Sequence, residues 1–192
     1  LSSAFSVTAP PPRGHSIPLS GARSTYNSLS YSQAQMCPTF ADGLHARELF
    51  AHWDLVRRGL YQALDMITDD QLEFVPRAGL WSLGHVACHI ASAEEGWFRY
   101  AVLREYDKWP QFPHTDYPTV ESIKTFLESV HDRTNAYLET IDADDLDRQL
   151  SLALGFDASL RYVIWHVLEH EIHHRGEIFL MLGLQGMEAP DV

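Results

Sequence analysis

Val163, Val167, His170, His174, Ile178 and Met181 recur at steps of three and four near the end of the 192-residue chain. That spacing dictates a helix with one face turned toward a protein core. Two of the six positions are histidines. Residues four apart on a helix lie one above the other, with about 6 Å between Cβ atoms, so His170 and His174 can reach one ion together. Neutral imidazoles crowded on an apolar face lack hydrogen-bond partners unless something bridges them.

The other segments carry the same helical period. Leu49, Trp53, Val56, Leu60, Ala63 and Ile67 predict a helix over roughly 43–67. Thr68 to Gln71 has capping-box spacing and predicts a short further turn. Ser82 is a good N-cap, with Trp81 and Val86 placed as a hydrophobic staple, for a helix running to about Glu105. Pro110, Pro113 and Pro118 fill a connection that no helix crosses, leaving room for a crossover. A third helix starts near Thr119 or Val120 and buries Ile123, Leu127, Val130, Thr134, Tyr137 and Ile141. Gln149 to Leu154 reads as a short extended piece. Ser159 or Asp157 then caps the last helix, which Gly183 ends. Four helices of about 20 residues with little strand signal predict an all-α four-helix bundle over 41–192.

Residues 1–40 differ from the rest. They contain nine Ser and five Pro, with no acid before Asp42. Such a stretch buries little apolar surface and reads as an irregular N-terminal arm. Its few basic residues and lack of an amphipathic period distinguish it from a transit peptide.

Charge and cysteine usage narrow the function. Fourteen basic against twenty-six acidic side chains give a net charge of −12, which argues against nucleic acid or an anionic membrane as the main partner. No apolar run approaches the roughly twenty residues a membrane span needs. Cys37 and Cys88 stand in no metal-ligand or redox spacing and read as reduced thiols. The expected location is the cytoplasm. The Asp142–Asp145 cluster lacks the glycine and distal glutamate of a calcium loop and reads as a cap and solvated turn. Trp53, Trp97, Phe98 and Trp165 read as core.

The second helix supplies the complement to His170 and His174. Ser82, Val86, His89, Ala93 and Trp97 form one line, which turns His89 inward. His85 lies one turn earlier and is a rival or supporting candidate. Cys88 points about 100° away from His89 and is not counted as a ligand. Three neutral imidazoles from two helices, with open positions for water, suit Zn²⁺, and Ni²⁺ or Fe²⁺ also fit.

Two other arrangements fit the same residues. His170-Glu171-Ile172-His173-His174 matches the peptidase pattern H-E-x-x-H, which makes a metal-dependent hydrolase with Glu171 as base conceivable. Only eighteen residues follow His174, however, and the position three beyond it is Glu177, not glycine. A non-catalytic, metal-stabilised module is the other arrangement. It needs four closed ligands, and His85 or His166 would be the fourth.

Trp81-Ser82 followed by His89, and His170-x-x-x-His174-Arg175-Gly176-Glu177 near the C-terminus, resemble the DinB/YfiT-like family of metalloenzymes. The similarity covers roughly residues 42–186. It implies a four-helix bundle, pairing as a homodimer, and one divalent ion held by His89, His170 and His174. Some relatives are thiol-dependent transferases or isomerases. The resemblance therefore implies a small-molecule substrate and a low-molecular-weight thiol that replaces metal-bound water and ionises there. The pocket wall is expected around Trp53 and Tyr137. The family commonly has Gln where this chain has Glu177, which either orients a ligand imidazole or is a solvated acid. Arg175 either pairs with an acid across the bundle or has no such role, and Gly176 either permits close helix contact or is incidental.

Overall fold

The computed structural model describes residues 43–191. The arm predicted for 1–40, with Cys37 and His15, lies outside the described residues. A short helix, α1 (Ala46–Leu49), precedes four long ones: α2 (Trp53–Leu64), α3 (Leu83–Glu95), α4 (Val120–Leu138) and α5 (Leu160–Leu184). Helix α3 packs against α4 and α5, and α2 closes the bundle against the same two. Among the described residues, no helix is long and apolar enough to cross a membrane.

The core divides into two apolar clusters. One joins the starts of α3 and α4 to the ends of α2 and α5, through Leu64, Leu83, Val86, Ile123, Leu127 and Ile178. The other joins the opposite ends, through Trp53, Phe98, Leu138, Leu160 and Val163. Helices α3 and α4 therefore run parallel, both antiparallel to α2 and α5. The Pro-rich link between α3 and α4 is the crossover that this topology requires.

A layer of buried charge lies between the two clusters. Arg57 of α2 donates from Nε and Nη2 to Glu171 of α5 at 2.8 Å each, from Nη2 to Glu94 of α3 at 2.6 Å, and from Nη1 to the Leu127 carbonyl of α4 at 2.9 Å. Trp53 Nε1 donates to Glu171 at 2.6 Å. His131 Nδ1 meets Glu94 at 3.0 Å. One guanidinium thus ties all four helices together with four of its five N–H donors.

The predicted 43–67 helix is broken at Phe50–His52. The start of the described chain is stapled to the end of α4: Ala46 N–H donates to the Ile141 carbonyl and Ala143 N–H to that of Leu44, both at 2.8 Å. Phe50 turns inward against Trp165, with ring centroids 5.6 Å apart, while Leu49 faces solvent. The predicted helix from Leu83 to Glu105 is α-helical only to Glu95 and continues as π-helix over Gly96–Val102. A Cβ on Gly96 would sit 2.3 Å from Trp109 Cζ2, so only glycine lets that indole rest on the helix.

The capping box at Thr68–Gln71 opens a 3-10 helix, Asp69–Glu73. Ser82, Thr119 and Ser159 each accept from the backbone N–H three residues on, capping α3, α4 and α5. The extended piece at Gln149 pairs with Asp157–Ser159 as a small antiparallel ribbon, Leu150 opposite Ala158. Helix α5 runs one residue past Gly183, and Gly186, with φ of 80°, takes the left-handed position after it. Trp53 and Phe98 are core, as predicted. Trp97 is only half-buried and Trp165 is exposed: both ring systems cover the start of α5 from outside. Asp142 begins a 3-10 turn, Ala143–Asp147, in keeping with a cap and solvated loop.

Candidate metal centre

Helices α3 and α5 bring His89, His170 and His174 together. One ligand-capable atom from each lies within 4.8 Å of the other two. His170 Nε2 and His89 Nε2 are 3.0 Å apart, and the ring centroids of the three pairs are separated by 4.4 to 4.9 Å. Their positions follow from the core-facing stripes: Val86 and Ala93 on α3, and Val167 and Ile178 on α5, are buried and fix both helix faces.

The electrostatics favour neutral ligands. Burial, and then the neighbouring His174, push His170 down to about 3 and His89 to about 4. Both imidazoles are therefore unprotonated near neutral pH, the form that binds metal. Glu177 accepts from His174 Nδ1–H at 2.7 Å, so the lone pair of His174 sits on Nε2. The same carboxylate lies 3.3 Å from exposed His173. A zinc ion about 2.0–2.1 Å from each nitrogen would set neighbouring nitrogens about 3.3 Å apart. The spacing of the three donors is within reach of that by side-chain rotation, and the donor set fits a divalent ion.

Neither candidate fourth ligand joins the cluster. His85 stacks on Trp81, with centroids 4.5 Å apart, and faces His114 at 5.5 Å. His166 packs on Trp97 at 4.5 Å and stays 6.5 Å from His170. Burial pushes the Cys88 thiol up to about 12, so it is held as a thiol. Among the described residues, the three imidazoles have no fourth protein donor within that spacing.

The hydrolase arrangement built on Glu171 fails on geometry. Glu171 is 1 % exposed and faces the bundle interior, with both oxygens held by Arg57 and one also by Trp53. It follows His170 directly, so helical rotation turns it about 100° away from the histidine cluster. A carboxylate locked in that network has no path to a metal-bound water.

Three smaller expectations are resolved. Among the described residues, Arg175 pairs with no acid. It donates to the Val56 carbonyl at 3.2 Å and lies over the Phe179 ring at 5.5 Å. Gly176 does not serve close packing, since a Cβ there would meet open space. Trp53 and Tyr137 do not wall the site: they pack with Phe98, centroids 6.3 and 6.2 Å away, in the other apolar cluster.

The wall comes instead from the loop before α3 and from the Pro-rich crossover. A cavity of about 480 Å³ opens beside His89, lined by Trp81, His85, Ser92, Trp109, Phe112 and His114. Trp81 is 45 % exposed, and its ring stands 4.8 Å from that of His89 and 6.2 Å from that of His174. Its importance was not legible from its place before an N-cap. The crossover residues were missed because proline content marks a loop without saying what the loop covers.

A family model described as the DinB superfamily matches residues 52–178. Among curated proteins, YrdA of Bacillus subtilis is 22% identical over 143 residues, covering 73% of this chain and 83% of its own. A protein of Oceanobacillus iheyensis named "Putative metal-dependent hydrolase OB0413" is 22% identical over 134 residues, covering 64% and 77%. Among solved structures, a DinB-like protein from Bacillus cereus superposes with a TM-score of 0.61 at 20% identity, covering 77% of this chain and 97% of that one. A mycothiol-dependent maleylpyruvate isomerase superposes with a TM-score of 0.53 at 14% identity, covering 70% and 61%.

Proposed function

This chain belongs to the DinB superfamily, and on that premise we propose that it is a metal-dependent enzyme acting on a small molecule with a low-molecular-weight thiol as cosubstrate. The reaction is an S-transfer or an isomerisation. His89, His170 and His174 hold one divalent ion, zinc, nickel or iron. When bound, that ion supplies a Lewis-acid centre that lowers the pKa of a thiol.

One observation carries the reading. Three imidazoles converge with, among the described residues, no fourth protein donor within the same spacing of all three, and one of them, His89, lines a cavity of about 480 Å³. A structural site closes with four protein ligands, whereas a catalytic one keeps a position open. The isomerase with the same fold is mycothiol-dependent, which supports a thiol as the second reactant here. The residues divide the remaining work. Glu177 fixes the His174 tautomer, burial keeps His89 and His170 neutral, and Trp81 shields the cluster from water.

Metal-dependent hydrolysis is the second reading, favoured by the name of the Oceanobacillus relative. It would need a base other than Glu171. A homodimer in the cytoplasm is the proposed assembly and location. Tyr162, Trp165 and Ile172, exposed along α5, give apolar surface to such a pairing.

Spectroscopy of the Co²⁺-substituted protein tests the proposal. A small thiol is expected to add a sulfur-to-metal charge-transfer band. If no cellular thiol produces it, and a count of the ligands on the metal shows four protein donors, the structural-module reading replaces this one.

A further inference from the structure

A second depression shares Trp81 with the cavity beside His89. It has a volume of about 280 Å³ and runs between the 76–81 loop and the end of α5. Its walls are Leu80, Val86, Leu180, Met181 and Leu184, all aliphatic or thioether. Trp81 and Glu177 also line it, the first with its ring 4.8 Å from that of His89 and the second hydrogen-bonded to His174. Leu180 and Leu184 are 64 % and 58 % exposed, an unusual exposure for large apolar residues that share one groove.

We propose that this groove is the subsite for the apolar body of the substrate, and that the substrate is an uncharged, aliphatic small molecule. The inference rests on the enzymatic reading above and names its substrate class. Charge decides the class. Among the described residues, Glu177 is the only ionisable side chain lining the groove, so an anionic group seated along it would face a carboxylate and no cationic side chain. An apolar body loses nothing there and gains from covering exposed leucines. A molecule seated in the groove ends against Trp81, one ring from His89. The cavity beside His89, which Trp81 also lines, is left for the thiol. Trp81 is thus shared by two subsites that meet at one centre.

Titration of the full-length, metal-loaded protein by 1-octanol and by octanoate, followed through the Trp81 indole N–H resonance, tests this without any catalysis. Assignment uses Trp81→Phe. Octanol should shift the resonance saturably, and octanoate should bind at least tenfold more weakly at pH 8. Leu180→Glu should weaken octanol binding at least tenfold while metal content stays unchanged. Leu184→Glu, also at an exposed position, repeats the test should the first variant not fold. The proposal is overturned if octanol leaves Trp81 unmoved, if octanoate binds equally well, or if both charged variants bind octanol normally. It is also overturned if sedimentation shows a second copy of the chain covering the groove and octanol dissociating it. Octanol binding without a thiol charge-transfer band would sink the thiol reading alone. The band without octanol binding would sink this one alone.

Discussion

Glu177 accepts a hydrogen bond from Nδ1 of His174 at 2.7 Å, one helical turn below it. This single contact decides which nitrogen of His174 faces the other two imidazoles. A carboxylate can only accept, so Nδ1 carries the proton and Nε2 keeps its lone pair. Replacing Glu177 by Ala frees the ring and should weaken zinc binding by roughly 10–100-fold, the usual cost of losing such a partner. Glu177→Gln keeps an accepting oxygen and should retain most of the affinity. Competition against a chromogenic chelator measures both, and equal affinity in the Ala variant would return Glu177 to the status of a surface acid.

Replacing His89, His170 or His174 singly by Ala should abolish stoichiometric metal, since each supplies one of three converging donors. His45→Ala and His114→Ala should leave metal content intact, because neither ring joins the cluster. Full occupancy in the His89 variant would confine the site to α5 and contradict the two-helix arrangement.

The depressed histidines give the metal-free protein a defined pH response. His89 and His170 fall from an ordinary 6.5 to about 4 and about 3 in the fold, through burial and then the adjacent His174. The unfolded chain therefore takes up protons first as pH falls. Stability from these two groups is full above 6.5 and declines through the window down to about 4 and 3. Chemical denaturation of apo-protein between pH 8 and 5 should show that decline, and His170→Gln should flatten it. Metal should be released over the same descent, since protonated imidazole cannot ligate. An unchanged slope in the variant would mean that other groups carry it.

Glu171 and Arg57 form the pivot of the buried layer. Glu171→Gln leaves the guanidinium with one charged partner fewer in a site closed to water. That should cost about 3–5 kcal/mol of stability, with metal content preserved. Burial alone would raise the carboxyl of Glu94, but Arg57 beside it outweighs this and holds it at about 2. Its stabilising charge is thus present above 4.5 and lost only as pH falls toward about 2. A Glu171→Gln variant as stable as wild type, yet without activity, would reinstate Glu171 as a catalytic base.

Gly96→Ala places a methyl group 2.3 Å from the indole of Trp109. Overpacking of this kind costs about 1–3 kcal/mol. The strain should also displace Trp109 from the cavity wall. A lowered melting temperature with altered thiol binding is the expected pair of outcomes. An unchanged melting temperature would mean that the indole has room to move.

The fold class and the inward direction of the three histidines were legible in the sequence, because both are written in helical periodicity. A stripe at steps of three and four sets which face is buried, and any polar residue on that stripe must find a partner inside. His89, His170 and His174 obey this rule on two separate helices, so the inward direction of each followed from local geometry, and the packing of α3 on α5 brought them together. Arg57, Glu94 and His131 obey it too. Arg57 follows Trp53 by four and His131 follows Leu127 by four, and the same reasoning would have flagged them. Their partnership was still unreadable, because which charge meets which depends on how four helices are rotated against one another.

What only the tertiary structure decided is equally physical. Glu171 sits in a metalloprotease pattern, yet one residue of helical rotation turns it from the histidines to the guanidinium of Arg57. Beside the break at Phe50 its ring packs on Trp165, and where the α-helix gives way at Gly96 the backbone meets Trp109, contacts made by other segments. The walls of the centre come from the 76–81 loop and the crossover, segments without a period to read. Periodicity reports the direction a side chain leaves its own helix; what it meets there is set by packing between segments, which no single segment encodes.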